Sequence, residues 1–276
     1  MNGNLAVFGY TQGLNILLNI FFTPVVNAAR GIAVQVQNVV NNFSYNFQTA
    51  INPQLTKSYA QNDLERMHRL LITSSKFSVF LLSFICFPLI LEAPLILTWW
   101  LGDYPGHTVN FLRLVLITTI LFALSNPIVI SVHATGKIRR FQIIEGSLLL
   151  SIVPISYILL KFFNLPPETV FIVHICIEIC TQYMRLYIVL PMINLSFNRY
   201  CNEVLYPIVK ATLISFVLLL MIYLNLPQNI VSFMIICSSC TFIIGIAVYC
   251  IGCTSSEKLI VKNKLSQILN KFKFIK

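Results

Sequence analysis

Charge is scarce in this sequence. Asp, Glu, Lys and Arg make up only 10% of the 276 residues, whereas an ordinary soluble domain carries about 25%. The acids are the scarcest, with nine in all. A chain with so few charges would not stay dissolved as an ordinary globular domain, and it offers few carboxylates for catalysis.

Motifs for nucleotide binding, hydrolysis and calcium binding are missing as well. The sequence has no G-x-x-x-x-G-K-[ST] loop, no G-x-S-x-G, no H-E-x-x-H and no EF-hand loop. The spacings Cys237 to Cys240 and Cys250 to Cys253 resemble metal or redox pairs, but no set of histidines or carboxylates accompanies them. We interpret them as thiols packed within helices. We therefore expect no catalytic residue, no metal and no cofactor.

Long apolar runs are abundant, in contrast. Hydrophobic residues make up 57% of the chain, and the mean hydropathy is +0.80. Several runs reach the length of about 20 residues that a helix needs to cross a bilayer. The sequence therefore predicts an all-α, polytopic bundle of transmembrane helices with about eight spans, at residues 4–23, 27–52, 72–91, 107–132, 141–163, 168–191, 207–225 and 229–252.

The basic residues are distributed unevenly between the predicted connections. When the eight spans alternate in direction, 16 of the 19 Lys and Arg residues fall on one side of the membrane. Since connections rich in Lys and Arg stay in the cytoplasm, both termini are predicted to be cytoplasmic. The basic residues form no single patch, which argues against nucleic acid as a partner.

The second predicted span is unusual for a membrane helix. In a helical projection of residues 27–52, the polar residues share an arc of roughly 200°, and the opposite arc is entirely apolar. We expect such a face to turn toward water or a polar ligand. It comprises Asn27, Arg30, Gln35, Gln37, Asn38, Asn41, Asn42, Ser44, Tyr45, Asn46, Gln48, Thr49 and Asn52.

The first predicted span carries a smaller polar stripe, formed by Gln12, Asn15 and Asn19. Because only a few residues join it to the second span, the two helices should be antiparallel neighbours. Their polar faces could then line one hydrated cavity. The alternative is interhelical hydrogen bonding, which suits three residues on one helix better than thirteen on the next.

Charged side chains at membrane depth are costly, and they are candidates for function. Arg30 and Arg113 lie near the predicted outer ends of their spans and could attract a phosphate or an acidic sugar. The alternative is that both extend to the outer headgroups. Glu145, His174 and Glu178 are candidates for ion coupling, although a pair between His174 and Glu178 along one helix would also account for the last two.

Two further segments belong to the membrane surface. Residues 92–106 contain Trp99, Trp100 and Tyr104, and such aromatic residues are typical of the headgroup level. We interpret this connection as an interfacial anchor, with sugar stacking by the tryptophan pair as the alternative. Residues 254–276 place apolar residues periodically between lysines, which predicts a basic amphipathic helix on the inner leaflet.

Several short segments carry a family resemblance. They are QGLNILLN at 12–19, PVVNAARGIA at 24–33, NFQTA at 46–50, NPQ at 52–54, KSY at 57–59 and DLER at 63–66. With them the chain resembles the polysaccharide-biosynthesis (Wzx-type) flippases of the multidrug/oligosaccharidyl-lipid/polysaccharide (MOP) exporter superfamily. The resemblance is concentrated in residues 10–70 and continues collinearly through later spans, as at ATGK, residues 134–137.

The resemblance implies an architecture. Such exporters have a MATE-like fold with two six-helix lobes, and this chain resembles the second lobe followed by two extra carboxy-terminal helices. Residues 1–191 would form the six-helix lobe, 192–253 the two additional helices and 254–276 the cytoplasmic tail. The first lobe would be a partner, encoded by the same gene or supplied by a second chain, so that Met1 could be an internal or misassigned start.

The resemblance also implies a function in a bacterial cytoplasmic membrane. The substrate would be an undecaprenyl-pyrophosphate-linked oligosaccharide, a repeat unit of O-antigen or capsule, moved across the bilayer by alternating access. On this hypothesis the substrate pathway would include Gln12, Asn15, Asn19, Asn27, Arg30, Gln35, Asn38, Asn41, Asn42, Tyr45, Gln48 and Arg113. The coupling candidates are Glu145, His174 and Glu178.

Other functions remain open at this point. A small-molecule or drug cation antiporter of the same superfamily would depend on Glu145 and Glu178, the acids well inside the spans. A membrane-bound polymerase or acyltransferase would need a constellation on the outer connections, where only Glu92, Asp103, His107 and Glu168 are available. A fragment without activity of its own is the third possibility.

Overall fold

The computed structural model describes residues 2–227, 229–254, 257–259 and 262. Of these described residues 87% are helical, and none lies in a strand. The all-α prediction is therefore confirmed. The α-helices are α1 Asn2–Phe21, α2 Pro24–Thr49, α3 Asn52–Ala60, α4 Leu64–Leu91, α5 Ala93–Leu101, α6 Thr108–Phe122, α7 Ser125–Thr135, α8 Ile138–Leu150, α9 Ile152–Phe163, α10 Thr169–Met192, α11 Phe197–Tyr200, α12 Tyr206–Leu224 and α13 Ile230–Ala247.

Six helical stretches among the described residues are long and apolar enough to cross a membrane. They overlap the third to the eighth predicted spans, and they are Leu64–Leu91, Thr108–Thr135, Ile138–Phe163, Thr169–Met192, Phe197–Leu224 and Ile230–Gly252. In α1 the apolar stretch Leu5–Phe21 is shorter. The 26 residues of α2 are long enough to cross, but its polar face lowers its hydropathy. The total of eight spans stays a prediction.

Proline explains two of the interruptions along these stretches. A proline lacks the N–H that would bind the carbonyl four residues earlier, and its ring bends the helix there. Pro127 separates α6 from α7 in this way, and Pro94 accompanies the break between α4 and α5. Side chains of neighbouring helices bind the freed carbonyls: Gln48 donates to the Ala123 oxygen (3.3 Å), and Arg113 donates to the Ile90 oxygen (2.9 Å). Membrane helices tolerate proline when a neighbour supplies such a donor.

The helices α1, α2, α4, α6 to α10 pack around one apolar core. In this bundle α2 lies against α6 and α4, α1 against α8 and α9, and α10 against α6, α7, α8 and α9. A side-chain Cβ at Gly13 would lie 2.5 Å from Val153, so glycine at this position permits the close approach of α1 to α9.

The helices α12 and α13 form a pair that packs on α4. A second apolar cluster joins them, in which Phe87 and Leu91 of α4 meet Leu219 of α12 and Ile236 of α13. Cys240 of α13 also donates from its Sγ to the Phe84 carbonyl of α4, at 3.6 Å. That carbonyl lies four residues before Pro88, so here again a neighbouring helix binds a carbonyl that proline leaves free.

The two ends of the bundle differ in composition. At the first, which we call the basic end, α3, the turn at Gly136 and α11 lie together with the start of α4, and Arg199 forms an ion pair with Glu65 at 3.0 Å. At the second, the tryptophan end, the Trp99 ring packs edge-on against Phe233 at a centroid distance of 5.5 Å. There Glu168 also accepts hydrogen bonds from His107 (2.7 Å) and Asn110 (3.0 Å).

Lys76 ties the start of the predicted tail to the bundle. Its side chain is fully buried in α4, and its Nζ donates to Glu257 Oε2 at 2.8 Å and to the Gly252 carbonyl at 3.1 Å. A buried ammonium needs such partners because an unpaired charge is costly to bury. Most of the predicted amphipathic helix at 254–276 lies outside the described residues.

Candidate functional site

A polar cavity of about 280 Å³ lies inside the bundle, between α1, α2, α6, α8 and α10. It brings residues of the predicted pathway together with two of the predicted coupling residues. Its polar lining consists of Tyr10, Thr11, Arg30, Gln37, Asn38, Asn41, Thr118, Thr119, His174 and Glu178. A guanidinium from α2 and a carboxylate from α10 thus line the same cavity, which opens beside the exposed Asn38.

The polar face of α2 is divided between two environments. One part, including Arg30, Ser44 and Gln48, is buried against α4, α6 and the cavity. The other part, including Gln35 and Asn42, is exposed on the outside of the bundle. Each part forms a stripe along the helix because residues three and four apart share a face, and the two stripes are adjacent. We call them the buried seam and the outward amide face.

Arg30 is the cation of the cavity. It is 7% exposed; its Nη1 donates to Asn15 Oδ1 of α1, and its Nη2 donates to the Thr11 carbonyl at 3.3 Å. Its Nε has no hydrogen-bond partner among the described residues, and neither has Asn27 Oδ1, one turn earlier. The guanidinium is therefore held in place by α1 with donor capacity left over, as an anion-binding group requires.

A second charged cluster lies next to the cavity and is centred on Arg185. This side chain is 1% exposed, and it forms ion pairs with Glu178 at 2.5 Å and with Glu145 of α8 at 2.7 Å. Its Nη1 also donates to Ser125 Oγ of α7 at 2.6 Å. Two carboxylates face one guanidinium, so the three groups together carry one formal negative charge when all are ionised. We call these three residues and Ser125 the Arg185 cluster.

The predicted pair between His174 and Glu178 does not form. Glu178 instead binds Arg185, two turns further along α10, because a guanidinium offers a carboxylate a stronger, charge-assisted hydrogen bond than an imidazole. The His174 ring packs against Tyr10 of α1 with a centroid distance of 5.1 Å. Both His174 and Glu178 still line the cavity.

Gln48 performs a structural task within the buried seam. Its Nε2 donates to Ser78 Oγ of α4 at 2.9 Å and to the Ala123 carbonyl, and its Oε1 accepts from Asn126 of α7. Gln37 makes a comparable link, donating to Thr119 of α6 at 3.1 Å. These amides join α2 to its neighbours, as expected for interhelical hydrogen bonds in membranes.

The outward amide face has no such partners. Within the described part of the chain, the side chains of Gln35, Asn38, Asn42 and Asn46 form no hydrogen bond, and all four residues are exposed, with Asn38 also reaching the rim of the cavity. Tyr45 beside them is 61% exposed. On α1 the predicted residues Gln12 and Asn19 are exposed as well, with Gln12 accepting a hydrogen bond from Asn15.

Arg113 and Glu145, two charged residues predicted to belong to the site, do not line the cavity. Arg113 is not among the residues that line it, and its guanidinium binds the Ile90 carbonyl that Pro94 leaves free. Its observed contact is therefore with the end of α4, and its predicted contact with a phosphate stays a prediction. Glu145 contacts the cavity only through Arg185 and Glu178.

Sequence reasoning missed several residues of this region. The sequence places Arg185 in the sixth predicted span, on one polar stripe with His174 and Glu178, but does not include it among the coupling candidates; in the structure it is buried. Its spacing of seven from Glu178 was a visible signal, since such residues share a helix face. Thr118 and Thr119 were missed because threonine pairs in apolar spans usually bind their own helix; both do so here, and both also line the cavity.

The polar groups of this arrangement are suited to binding. The cavity offers a guanidinium, amides and a carboxylate, and the outward face offers amides alone. Among the described residues, no group of three or more His, Cys, Asp and Glu side chains is placed to hold a metal ion. No protein-family model, curated protein or solved structure matches this chain, so the resemblance to flippases rests on its sequence segments.

Proposed function

We propose that this chain is one lobe of a transporter that moves lipid-linked oligosaccharides across the bacterial cytoplasmic membrane. The substrate is an undecaprenyl-pyrophosphate-linked repeat unit, and the transporter supplies it for O-antigen or capsule synthesis. Both termini are cytoplasmic, and the basic end is the cytoplasmic end. A second lobe, from the same gene or another chain, faces the outward amide face and completes the pathway.

The observation that carries this proposal is the outward amide face of α2. An uncompensated amide in contact with hydrocarbon costs several kcal/mol, at about 2–7 kcal/mol per group depending on the reference state. Four such residues on one helix therefore favour an aqueous or sugar-filled space over lipid. Neutral amides donate and accept hydrogen bonds, which suits the many hydroxyl groups of a sugar.

The charge pattern supports a phosphate-bearing lipid. Arg30 is fixed by α1 and keeps a donor without a partner, and guanidinium groups bind phosphate with two parallel hydrogen bonds. The amides lie on one side of Arg30 along α2, toward the basic end. One lipid-linked oligosaccharide could therefore place its phosphate near Arg30 and its sugars along the amides.

The size of the cavity sets a limit on this proposal. Its volume of about 280 Å³ lies at the lower end of ordinary ligand pockets, which span about 300–1,000 Å³. An oligosaccharide would not fit inside it. The cargo must therefore travel along the exposed face, with the cavity as a side pocket for a phosphate or for water.

A complementation experiment tests the function. The complete transporter gene containing this chain is introduced into a bacterium that lacks its own repeat-unit flippase, and surface polysaccharide is measured. We expect rescue with the wild type, strong loss with the double variant Asn38→Leu/Asn42→Leu, and retention with the matched double variant Val39→Leu/Phe43→Leu on the neighbouring apolar face. Failure of the wild-type gene to restore surface polysaccharide would overturn the proposal.

A cation antiporter is the second candidate, and the Arg185 cluster favours it. Its two carboxylates and one guanidinium leave one formal negative charge beside the cavity, which a proton or a monovalent cation would neutralise. This function predicts that Glu178→Gln abolishes ion-driven efflux of a cationic dye from loaded cells. Efflux that is absent in the wild type, or unchanged in the variant, would exclude it.

A further inference from the structure

A groove larger than the polar cavity lies outside the site described above. It has a volume of about 920 Å³ and runs between α8 and α10 at the basic end, reaching Phe197 of α11. Its walls are mainly apolar, and they include Phe141 and Ile144 of α8 and Leu190 of α10. We call it the α8–α10 groove.

Two cations line the same groove. Lys137 and Arg140 both contribute to it, and both are exposed. Among the described residues neither has a carboxylate within ion-pair distance. The acid nearest along α8, Glu145, is engaged by Arg185. The groove is thus apolar along its walls and positive at one end.

The amino-terminal end of α8 adds to the positive potential at this end of the groove. Gly136 adopts a left-handed conformation (φ +72°), and α8 begins two residues later with no acidic residue in its first turn. The first turn instead carries Arg139 and Arg140, and cations are unfavourable at the positive end of a helix. An anion bound there would neutralise this arrangement.

Aromatic side chains indicate the depth of the groove in the bilayer. Tyr183 and Tyr187 of α10 line it and are 58% and 66% exposed, and the Tyr183 ring lies edge-on to Phe197 at 6.2 Å. Tyrosines so exposed on a membrane protein are typical of the headgroup level. The cations of the groove therefore lie where phosphates lie, and its apolar walls continue toward the acyl chains.

We propose that the α8–α10 groove binds an anionic phospholipid, with the phosphate between Lys137 and Arg140 and an acyl chain along Phe141, Ile144 and Leu190. Basic pockets between helices at this level bind anionic headgroups in membrane proteins. The predicted amphipathic tail is an unsuitable occupant, since its lysines would face the two cations. This proposal is independent of the transported substrate.

Lipid binding to the purified full chain tests the proposal. The chain is placed in nanodiscs of phosphatidylcholine with increasing phosphatidylglycerol, and bound phosphatidylglycerol is counted by native mass spectrometry after release. The wild type should retain phosphatidylglycerol in preference to phosphatidylcholine. Lys137→Gln/Arg140→Gln should weaken that retention about 25-fold, because each cation near an anionic surface contributes about 1 kcal/mol.

The matched control is Lys57→Gln/Arg66→Gln, which removes the same charge from the basic end at two exposed residues that do not line the groove. We expect retention within about twofold of the wild type. A third variant, Ile144→Trp, fills the apolar wall without changing charge and should also displace the lipid; circular dichroism verifies that each variant is folded. Equal losses in both double variants, no preference in the wild type, or a second protein copy in place of the lipid would overturn the proposal.

Discussion

Both parts of the polar face of α2 carry amide side chains, but the surroundings of those amides are opposite. In the buried seam, Gln37 and Gln48 each bind a neighbouring helix. On the outward amide face, Gln35, Asn38 and Asn42 have no side-chain partner among the described residues. Folding accounts for the seam, because its amides join α2 to α4, α6 and α7. It does not account for the outward face, which is therefore where a function must be sought.

The contrast also separates the polar side chains that stabilise the bundle from those that remain available for a function. The Arg185 cluster, the seam and the donors at Pro94 and Pro127 all satisfy polar groups inside the bundle. The outward amides satisfy none. The following variants should therefore divide into those that change stability and those that change transport alone.

The largest effect on stability is expected from Arg185→Gln. Removing the guanidinium leaves the buried Glu178 and the partly buried Glu145 without their cation, and breaking a buried ion pair costs about 3–5 kcal/mol. The temperature of unfolding in detergent should fall strongly. The matched control Arg199→Gln removes a half-exposed ion pair with Glu65, which is worth less than about 1 kcal/mol.

A triple variant makes this prediction sharper. In Arg185→Met/Glu145→Leu/Glu178→Leu, no buried charge is left unpaired, so much of the lost stability should return. If the single and triple variants unfold at the same temperature, the Arg185 cluster does not stabilise the bundle through its charges.

The direct comparison between the two faces is Gln48→Leu against Asn42→Leu. Gln48→Leu removes the donor for the Ala123 carbonyl and for Ser78, and should lower the free energy of unfolding by about 1–3 kcal/mol. Asn42→Leu breaks no contact inside the bundle, so we expect an unchanged unfolding temperature together with reduced transport in the complete transporter. Similar destabilisation by both variants would remove the distinction between the faces.

A smaller effect is expected at the tryptophan end, where Glu168 joins two connections. Burial raises the pKa of this carboxyl, but hydrogen bonds from Asn110 and His107 outweigh it and hold the pKa below its ordinary value. Its contribution is therefore present above the ordinary glutamate range, near pH 4.3, and is lost as the pH falls through the lowered pKa.

The measurement is unfolding of the wild type and Glu168→Gln between pH 7 and pH 3. The wild type should be more stable by less than about 1 kcal/mol at pH 7, and the difference should vanish at the acidic end. Asp103→Asn, an exposed acid in the same region with no ion pair among the described residues, should show no such convergence. A difference that grows with acidity would contradict the assignment.

The sequence predicts the helical class and the polar arc of α2 well, because both depend on local periodicity. It does not predict which part of that arc is buried. Gln48 and Asn42 lie on one polar face in projection, and only the positions of α4, α6 and α7 separate them. Those positions are set by packing between distant parts of the chain.

The charged residues show the same limit. Arg185 is visible as part of a stripe on α10, but its second partner, Glu145, lies 40 positions away on α8. The sequence suggests no partner for Arg113, whereas in the structure its guanidinium donates a hydrogen bond to the Ile90 carbonyl that Pro94 leaves free. A charge in a span can only be judged once its neighbours on other helices are known.

Labelling of the outward amide face in the assembled transporter is the most direct test of the central claim. The exposed native thiols Cys176, Cys180 and Cys250 are first replaced by serine. Single cysteines are then introduced at two amides, Asn38→Cys and Asn42→Cys, and at the adjacent apolar positions, Val39→Cys and Phe43→Cys. Cells are treated with a membrane-impermeant maleimide, and labelling is measured.

If the outward amide face lines a hydrated pathway, the cysteines at positions 38 and 42 will react, and those at 39 and 43 will stay unlabelled in lipid or protein. The thiolate form that reacts with maleimide requires water, so labelling reports contact of a position with water. Exposure in the chain by itself would not give this difference, because Val39 and Phe43 are also exposed there, at 60% and 52%. Equal labelling at all four positions, or labelling at 39 and 43 alone, would contradict the account.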